Sequence, residues 1–354
     1  MTQSVTSEKL RQRRVPALDG VRGYAVLLVV ISHVTMNVFP GYIGVDIFFV
    51  LSGFLITNLL TIESKHTKTI NYLQFLKRRF LRLYPSLVLT VLIAAVVYQI
   101  LWGVNRQFFA DAIVALTYLE PWFIAIANWD GGLFRHTWSL GLEEFFYLLW
   151  PIVFVFLGSI SRNKAIGVLT IGLVVLVIPI VASLTADFEE NPTTSYLLRF
   201  GGILLGCYIS LANFKVGRAL QLALLAAALT GLVASMLPMS PGVGSLVAAV
   251  SSCGLIVSLA QPETSNKLSA KLFENPMILW VGKVSYEPYL VHYVLIVLTI
   301  WWLAGQSTSE QEIRLALVPV GLASVLVAYF VHIIQKRIRS LRLFGVTPED
   351  SIIR

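Results

Sequence analysis

Arg22 and His33 stand eleven positions apart, at the edge and within an apolar run. On a helix that spacing is about 16 Å of rise and about three full turns, so both side chains project from one side at different depths. An imidazole held inside an apolar segment is a candidate general base, because its protonation changes near neutral pH. A guanidinium at the edge of the same segment suits a phosphate. The plainer readings are a helix-packing hydrogen bond for His33 and a snorkelling anchor for Arg22. Asp46 lies in the block Gly44-Val45-Asp46-Ile47-Phe48-Phe49-Val50-Leu51-Ser52-Gly53-Phe54. A turn near Phe39-Pro40 puts Asp46 about as far beyond the turn as His33 lies before it. An antiparallel hairpin would then set them level, where a carboxylate raises the basicity of an imidazole and fixes its tautomer. Ser52 and Gly53 read as close-packing residues.

Three further groups carry polar chemistry in apolar surroundings. Glu143 and Glu144 open a span in Trp138-Ser139-Leu140-Gly141-Leu142-Glu143-Glu144-Phe145-Phe146-Tyr147. They point about 100° apart, so one is expected to orient His33 or an acceptor hydroxyl and the other to stabilise a loop. Arg79 and Arg82 are three apart and share a helix face, which suits a phosphate or anionic lipid headgroups. Tyr286, Glu287 and His292 fall in Ser285-Tyr286-Glu287-Pro288-Tyr289-Leu290-Val291-His292. There Pro288 predicts a kink that frees carbonyls, and His292 reads as a substrate contact or a structural hydrogen bond. Asp19, Glu144, Tyr286 and His292 are the expected substrate-binding residues, and no metal is expected.

These residues need a membrane-embedded helical frame. Of the 354 residues, 56% are hydrophobic and 13% charged, against about 45–50% and about 25% in soluble domains. The excess forms long apolar runs. The fold class is therefore all-α and polytopic, with about ten spans near 22–39, 41–62, 84–104, 139–159, 165–184, 196–212, 218–237, 243–260, 278–303 and 314–334. They make one domain over 1–354, with a core of about 10–339. Between 70 and 85, Tyr72, Phe75, Leu76, Phe80 and Leu83 alternate with Lys77, Arg78, Arg79 and Arg82, which predicts an amphipathic helix on the membrane surface. The aromatic segment 105–138 reads as interfacial packing or as a cover over a substrate site.

With the N-terminus in the cytoplasm, 23 of the 27 basic residues fall on the inner side, which is the positive-inside pattern. Both termini are then cytoplasmic. The net charge of +8 follows from these loops, and no basic groove with interleaved aromatics points to nucleic acid. Cys207 and Cys253 lie inside apolar runs and read as small packing residues. No small-residue cleavage site follows the first segment, which reads as a retained anchor.

Taken together the motifs resemble the membrane-bound acyltransferase 3 family over nearly the whole chain. They are Arg22 with ten residues before His33, Arg79-x-x-Arg82, and the Asp46, Trp138–Tyr147 and Ser285–His292 blocks. The resemblance implies a multi-pass enzyme of the bacterial inner membrane with a ten-helix core. It also implies an acyl-CoA donor, acetyl-CoA above all, and a hydroxyl acceptor on a glycan, a lipid-linked sugar or a small secreted molecule such as a macrolide. It carries over His33 for catalysis and Arg22, Arg79 and Arg82 for the donor's nucleotide and phosphates, while Asp46 or Glu143 is expected to orient His33. An acyl-histidine intermediate stays open. Phe145 stands where the family usually has Gln, and Glu287 where it often has an aliphatic or polar residue. No fused extracytoplasmic hydrolase-like domain is expected, so the transfer is expected to finish alone or with polysaccharide-synthesis partners. The rival classes are a proton-coupled glycolipid transporter or flippase and an inactive scaffold. Acyl transfer in detergent separates both from the enzyme.

Overall fold

The computed structural model describes residues 15–160, 164–172, 175, 192–238, 240–261, 267–306 and 308–340. Among them every regular element is helical. Eight helices are long and apolar enough to cross a membrane, and a bent pair brings the number to nine if counted as one span. The chain is thus an all-α, multi-pass membrane protein. Eight of the ten expected spans coincide with these helices, while the expected span 218–237 is a shorter apolar helix, Arg218–Ala234. The expected span 165–184 and the basic residues Lys9, Arg11, Arg13 and Arg14 lie wholly or largely outside the described residues.

Helix α1, Pro16–Val34, starts on a proline whose missing N–H costs nothing at a helix N-terminus. It ends where Met36 and Asn37 take positive φ and turn the chain back. Helix α2, Tyr42–Thr67, ends on Lys68 in the left-handed conformation. Asn71 then caps α3, Tyr72–Leu101, by accepting from the Gln74 backbone N–H at 3.0 Å. The 30 residues of α3 span about 45 Å, more than the roughly 30 Å hydrocarbon core. Its first turns therefore project beyond the core. This corrects the expectation of a separate surface helix before a span at 84–104, because the amphipathic stretch runs into the span without a break. Pro85 sits inside the helix rather than at its entry.

Segment 105–138 folds into α4, Arg106–Leu116, and α5, Glu120–Ala127, bent by 117° about a short break. A 3-10 turn, Gly132–Thr137, leads into α6, Trp138–Ile160. Then come α7, Pro192–Ala212; α8, Arg218–Ala234; α9, Pro241–Leu259; α10, Lys267–Phe273; α11, Pro276–Lys283; α12, Tyr286–Ala304; and α13, Glu310–Ser340. The expected span 278–303 is two helices, α11 and α12. Pro288 kinks nothing, because it lies in the first turn of α12, where its absent N–H has no helical partner to lose.

Small residues set the closest approaches. A Cβ on Gly53 of α2 would lie 1.9 Å from the Ile203 carbonyl of α7, and one on Gly206 would lie 2.1 Å from the Val50 carbonyl. The two backbones pack directly, and α2 with α7 is the most extensive helix pair among the described residues. The same device locks α1 against α11, where a Cβ on Gly282 would lie 1.8 Å from the Asp19 carbonyl. Helix α1 also packs against α2, α10, α12 and α13, which places it inside the bundle with both of its chemistry-bearing residues.

Candidate functional site

Polar residues collect at two levels along α1. At the His33 level three imidazoles meet. Nδ1 of His33 lies 3.0 Å from Nε2 of His292 on α12. Nδ1 of His292 lies 2.7 Å from the Pro288 carbonyl, one turn back on the same helix. His136, from the 3-10 turn, places Nε2 3.1 Å from the Leu290 carbonyl, and its Nδ1 is buried without a hydrogen-bond partner. Tyr293 stacks on His136 at 4.7 Å between ring centroids and meets His33 edge-on at 5.0 Å. Below them the Tyr289 hydroxyl donates to the His136 carbonyl at 2.9 Å and pairs with the Ser139 hydroxyl.

His33 and His136 line a cavity of about 570 Å³ together with Tyr42, Arg135, Trp138, Tyr289 and Tyr293. Such a volume lies within the usual range for a small-molecule site. The aromatic rings offer flat faces, and Ser32 and Asn37 add hydrogen-bonding groups to the same wall. Arg135 is tied to Asp130 at 3.0 Å.

The second level lies toward the start of α1. Glu143 on α6 accepts from the Ser52 hydroxyl at 2.7 Å and from the Tyr147 hydroxyl at 3.2 Å. Arg22 lies within electrostatic range of Glu143 and Arg79. The Arg79 guanidinium lies over the Tyr147 ring at 5.7 Å and the Phe75 ring at 5.8 Å. Arg79 therefore turns into the bundle rather than toward lipid headgroups. Arg78 beside it is bound to Glu63 at 3.4 Å. The Arg82 backbone carbonyl accepts from the Gln335 amide. Glu144 lies near Arg79, Tyr118 and Tyr286, between the two levels.

Tyr118 belongs to the break between α4 and α5, where it takes φ of 58°. The break packs on α6, since a Cβ on Gly141 would lie 2.6 Å from the Tyr118 carbonyl. The aromatic segment, read as interfacial packing or as a cover over a substrate site, is a bent wedge whose tip reaches the inside of the bundle. Phe145, the departure from the family pattern, packs against Trp122 of α5 at 5.1 Å. An apolar ring at that position anchors the wedge.

Several expected pairings are replaced. Asp46 does not meet His33; it pairs with Arg199 of α7 at 3.6 Å, with Asp46 buried and the Arg199 side chain only 9% exposed. Arg199 also lies over the Trp138 ring at 5.3 Å. A guanidinium inside a bundle needs an opposite charge, and Asp46 faces it. Glu143 does not touch the imidazole either, because Ser52 and Tyr147 hold it at the other level. His292, read as a substrate contact or a structural hydrogen bond, makes the latter: both ring nitrogens are engaged, by His33 and Pro288. Ser52, expected only to pack, is a hydrogen-bond donor, and the packing falls to Gly53. Glu287 accepts from Ser86 at 3.4 Å and pairs with His332 of α13 at 3.2 Å, bridging α12 to α3 and α13. Asp19 lies at the α1–α11 contact through its carbonyl. Tyr286 lies near Tyr118 and Glu144. Among the described residues no cluster of acidic, histidine or cysteine side chains is arranged to hold a metal.

His136 and Arg199 were not singled out in the sequence. His136 falls in a stretch that reads as an outer loop, and Arg199 near a span end. The general signal was available, since ionisable groups at membrane depth default to functional candidates.

The Asp46–Arg199 pair yields a stability prediction. Asp46→Ala leaves a buried guanidinium uncompensated and is expected to cost about 3–5 kcal/mol. Asp46→Leu combined with Arg199→Met is expected to recover most of that loss. Unfolding of the single and double variants in one detergent checks it; equal stability of Asp46→Ala and the unaltered protein refutes it.

Comparison with known proteins adds the following. A family model described as an acyltransferase domain matches residues 15–333. The chain is 30% identical over 318 residues to "Peptidoglycan O-acetyltransferase OatA" of Listeria monocytogenes, covering 81% of this chain and 50% of that protein. It is 30% identical over 311 residues to "O-acetyltransferase OatA" of Staphylococcus aureus, covering 80% and 51%. It is 30% identical over 364 residues to "Putative peptidoglycan O-acetyltransferase YrhL" of Bacillus subtilis, covering 93% and 55%. The chain thus spans about half the length of the curated relatives it matches. No solved structure matches.

Proposed function

The chain belongs to the acyltransferase 3 family, and from that premise we propose that it is a membrane O-acyltransferase acting on a glycan hydroxyl. The observation that carries the reading is the placement of two sites on one helix: His33 in a cavity wall, and Arg22 about three turns away beside Arg79. The donor is an acyl-CoA, with acetyl-CoA first. Its phosphates are bound by Arg22, Arg79 and Arg82 at the cytoplasmic side, and its pantetheine arm lies along α1 toward His33. The acceptor enters the cavity at the His33 level from the outer side. Flat rings beside hydrogen-bonding groups suit a sugar, and the names of the relatives make peptidoglycan the first acceptor to test.

In the reaction His33 takes the proton of the acceptor hydroxyl. The oxygen attacks the thioester carbonyl, the carbon–sulfur bond breaks, and the coenzyme A sulfur leaves with the proton from His33. The positive-inside charge pattern supports cytoplasmic termini in a bacterial cytoplasmic membrane. Polysaccharide-synthesis proteins are the partners that such an acceptor brings.

The test uses the whole chain in lipid nanodiscs with acetyl-CoA carrying a labelled acetyl group and muropeptide or oligosaccharide acceptors. The expected product is an acceptor heavier by one acetyl group, with one free thiol released for each transfer. Absence of both thiol release and acetylated product from folded protein, across these acceptors, refutes the reading.

A further inference from the structure

We propose that His292 fixes the tautomer of His33 and thereby makes Nε2 of His33 the basic atom; this rests on His33 as the base in the proposed transfer. The protons follow from a chain of three groups. The Pro288 carbonyl can only accept, and it lies 2.7 Å from Nδ1 of His292. That nitrogen therefore carries the hydrogen. A neutral imidazole has one N–H, so Nε2 of His292 is a bare acceptor. It lies 3.0 Å from Nδ1 of His33. Two bare nitrogens at that distance would repel, so Nδ1 of His33 carries a hydrogen and donates it. The free lone pair of His33 is then on Nε2, in a residue that lines the cavity.

The competing assignment requires a doubly protonated His292. That residue is fully buried, and its hydrogen-bonded neighbours are an imidazole and the Pro288 and Tyr289 carbonyls, with no carboxylate. A buried cation without a paired anion is costly. The neutral chain avoids that charge.

The arrangement also favours the transition state over the ground state. When the acceptor proton arrives on Nε2, His33 becomes cationic, and its Nδ1–H bond to His292 becomes charge-assisted and stronger. When the coenzyme A sulfur leaves, Nε2 gives the proton up and the chain returns to its starting pattern. No net proton enters or leaves the histidines. His292 touches neither the sugar nor the thioester, and is a positioning residue.

The test combines spectroscopy with kinetics on the whole chain in nanodiscs. Histidine ring nitrogens are labelled with nitrogen-15, and the His33 signals are assigned by their loss in His33→Ala. The expected pattern for His33 is a protonated Nδ1 and a bare Nε2. A bare Nδ1 and protonated Nε2 in the unaltered protein overturns the proposal. In turnover, His292→Phe is expected to lower kcat by about 100-fold with KM for acetyl-CoA unchanged. His292→Gln, whose amide oxygen can take the place of Nε2, is expected to recover at least about tenfold of that loss. Unchanged kcat in folded His292→Phe overturns the proposal. Full turnover in His33→Ala would instead remove His33 as the base, while the nitrogen signals still read its tautomer independently of activity.

Discussion

His33→Ala is expected to lower acyl transfer by at least about 100-fold, the low end of what a positioned base contributes. Acetyl-CoA affinity is expected to stay within about twofold, because the proposed phosphate site at Arg22 is about 16 Å away at the other end of α1. Structural cost should be small by comparison. His33 is partly exposed to the cavity, and its partner His292 keeps its own bond to the Pro288 carbonyl at 2.7 Å. The measurement is labelled acetyl transfer together with a coenzyme A titration on the same preparation. Turnover equal to that of the unaltered protein would remove the imidazole from the chemistry.

Arg79→Ala is expected to act on the opposite quantity. Loss of a charge-assisted phosphate contact is worth about 1.5–3 kcal/mol, so coenzyme A binding should weaken by about 10- to 150-fold. Arg79→Lys should recover part of this at most, since an ammonium keeps the charge but loses the planar fork and the ring contacts with Phe75 and Tyr147. Arg78 supplies the control. It carries the same guanidinium and is adjacent, but it is committed to Glu63, so Arg78→Ala should change coenzyme A affinity by less than about threefold. Equal affinities for Arg79→Ala and the unaltered protein would detach the inner arginines from the donor.

The spans were legible because twenty or so apolar residues in a row have few other solutions. The single-helix separation of Arg22 and His33 was legible for a related reason: it depends on helix geometry alone. What failed were statements about partners across the bundle. Asp46 is level with His33 when the hairpin is drawn flat, but the rotation of α2 is set by Gly53 and Gly206 closing on α7, and that turns Asp46 to Arg199. His292 lies 259 positions from His33 in the chain, and no local pattern marks two imidazoles as neighbours. The continuity of α3 was hidden by Pro85, which reads as a boundary in water but is tolerated in membrane helices. The bent pair α4–α5 was hidden by its brevity, since its helices of 11 and 8 residues are each too short to register as spans.

The lodging of Arg22 and His33 on one unbroken helix has a mechanical corollary. Helix α1 has α11 against its backbone at Gly282 and further helices on its other sides. It is the stator of the molecule. The distance from Arg22 to His33 along α1 is a property of covalent geometry and helix rise. In the proposed transfer, any stroke that admits an acceptor or releases the spent donor must therefore be made by parts that move past α1. The α4–α5 wedge is not part of that rigid frame: it bends by 117° and sets its tip beside Glu144 and Tyr286.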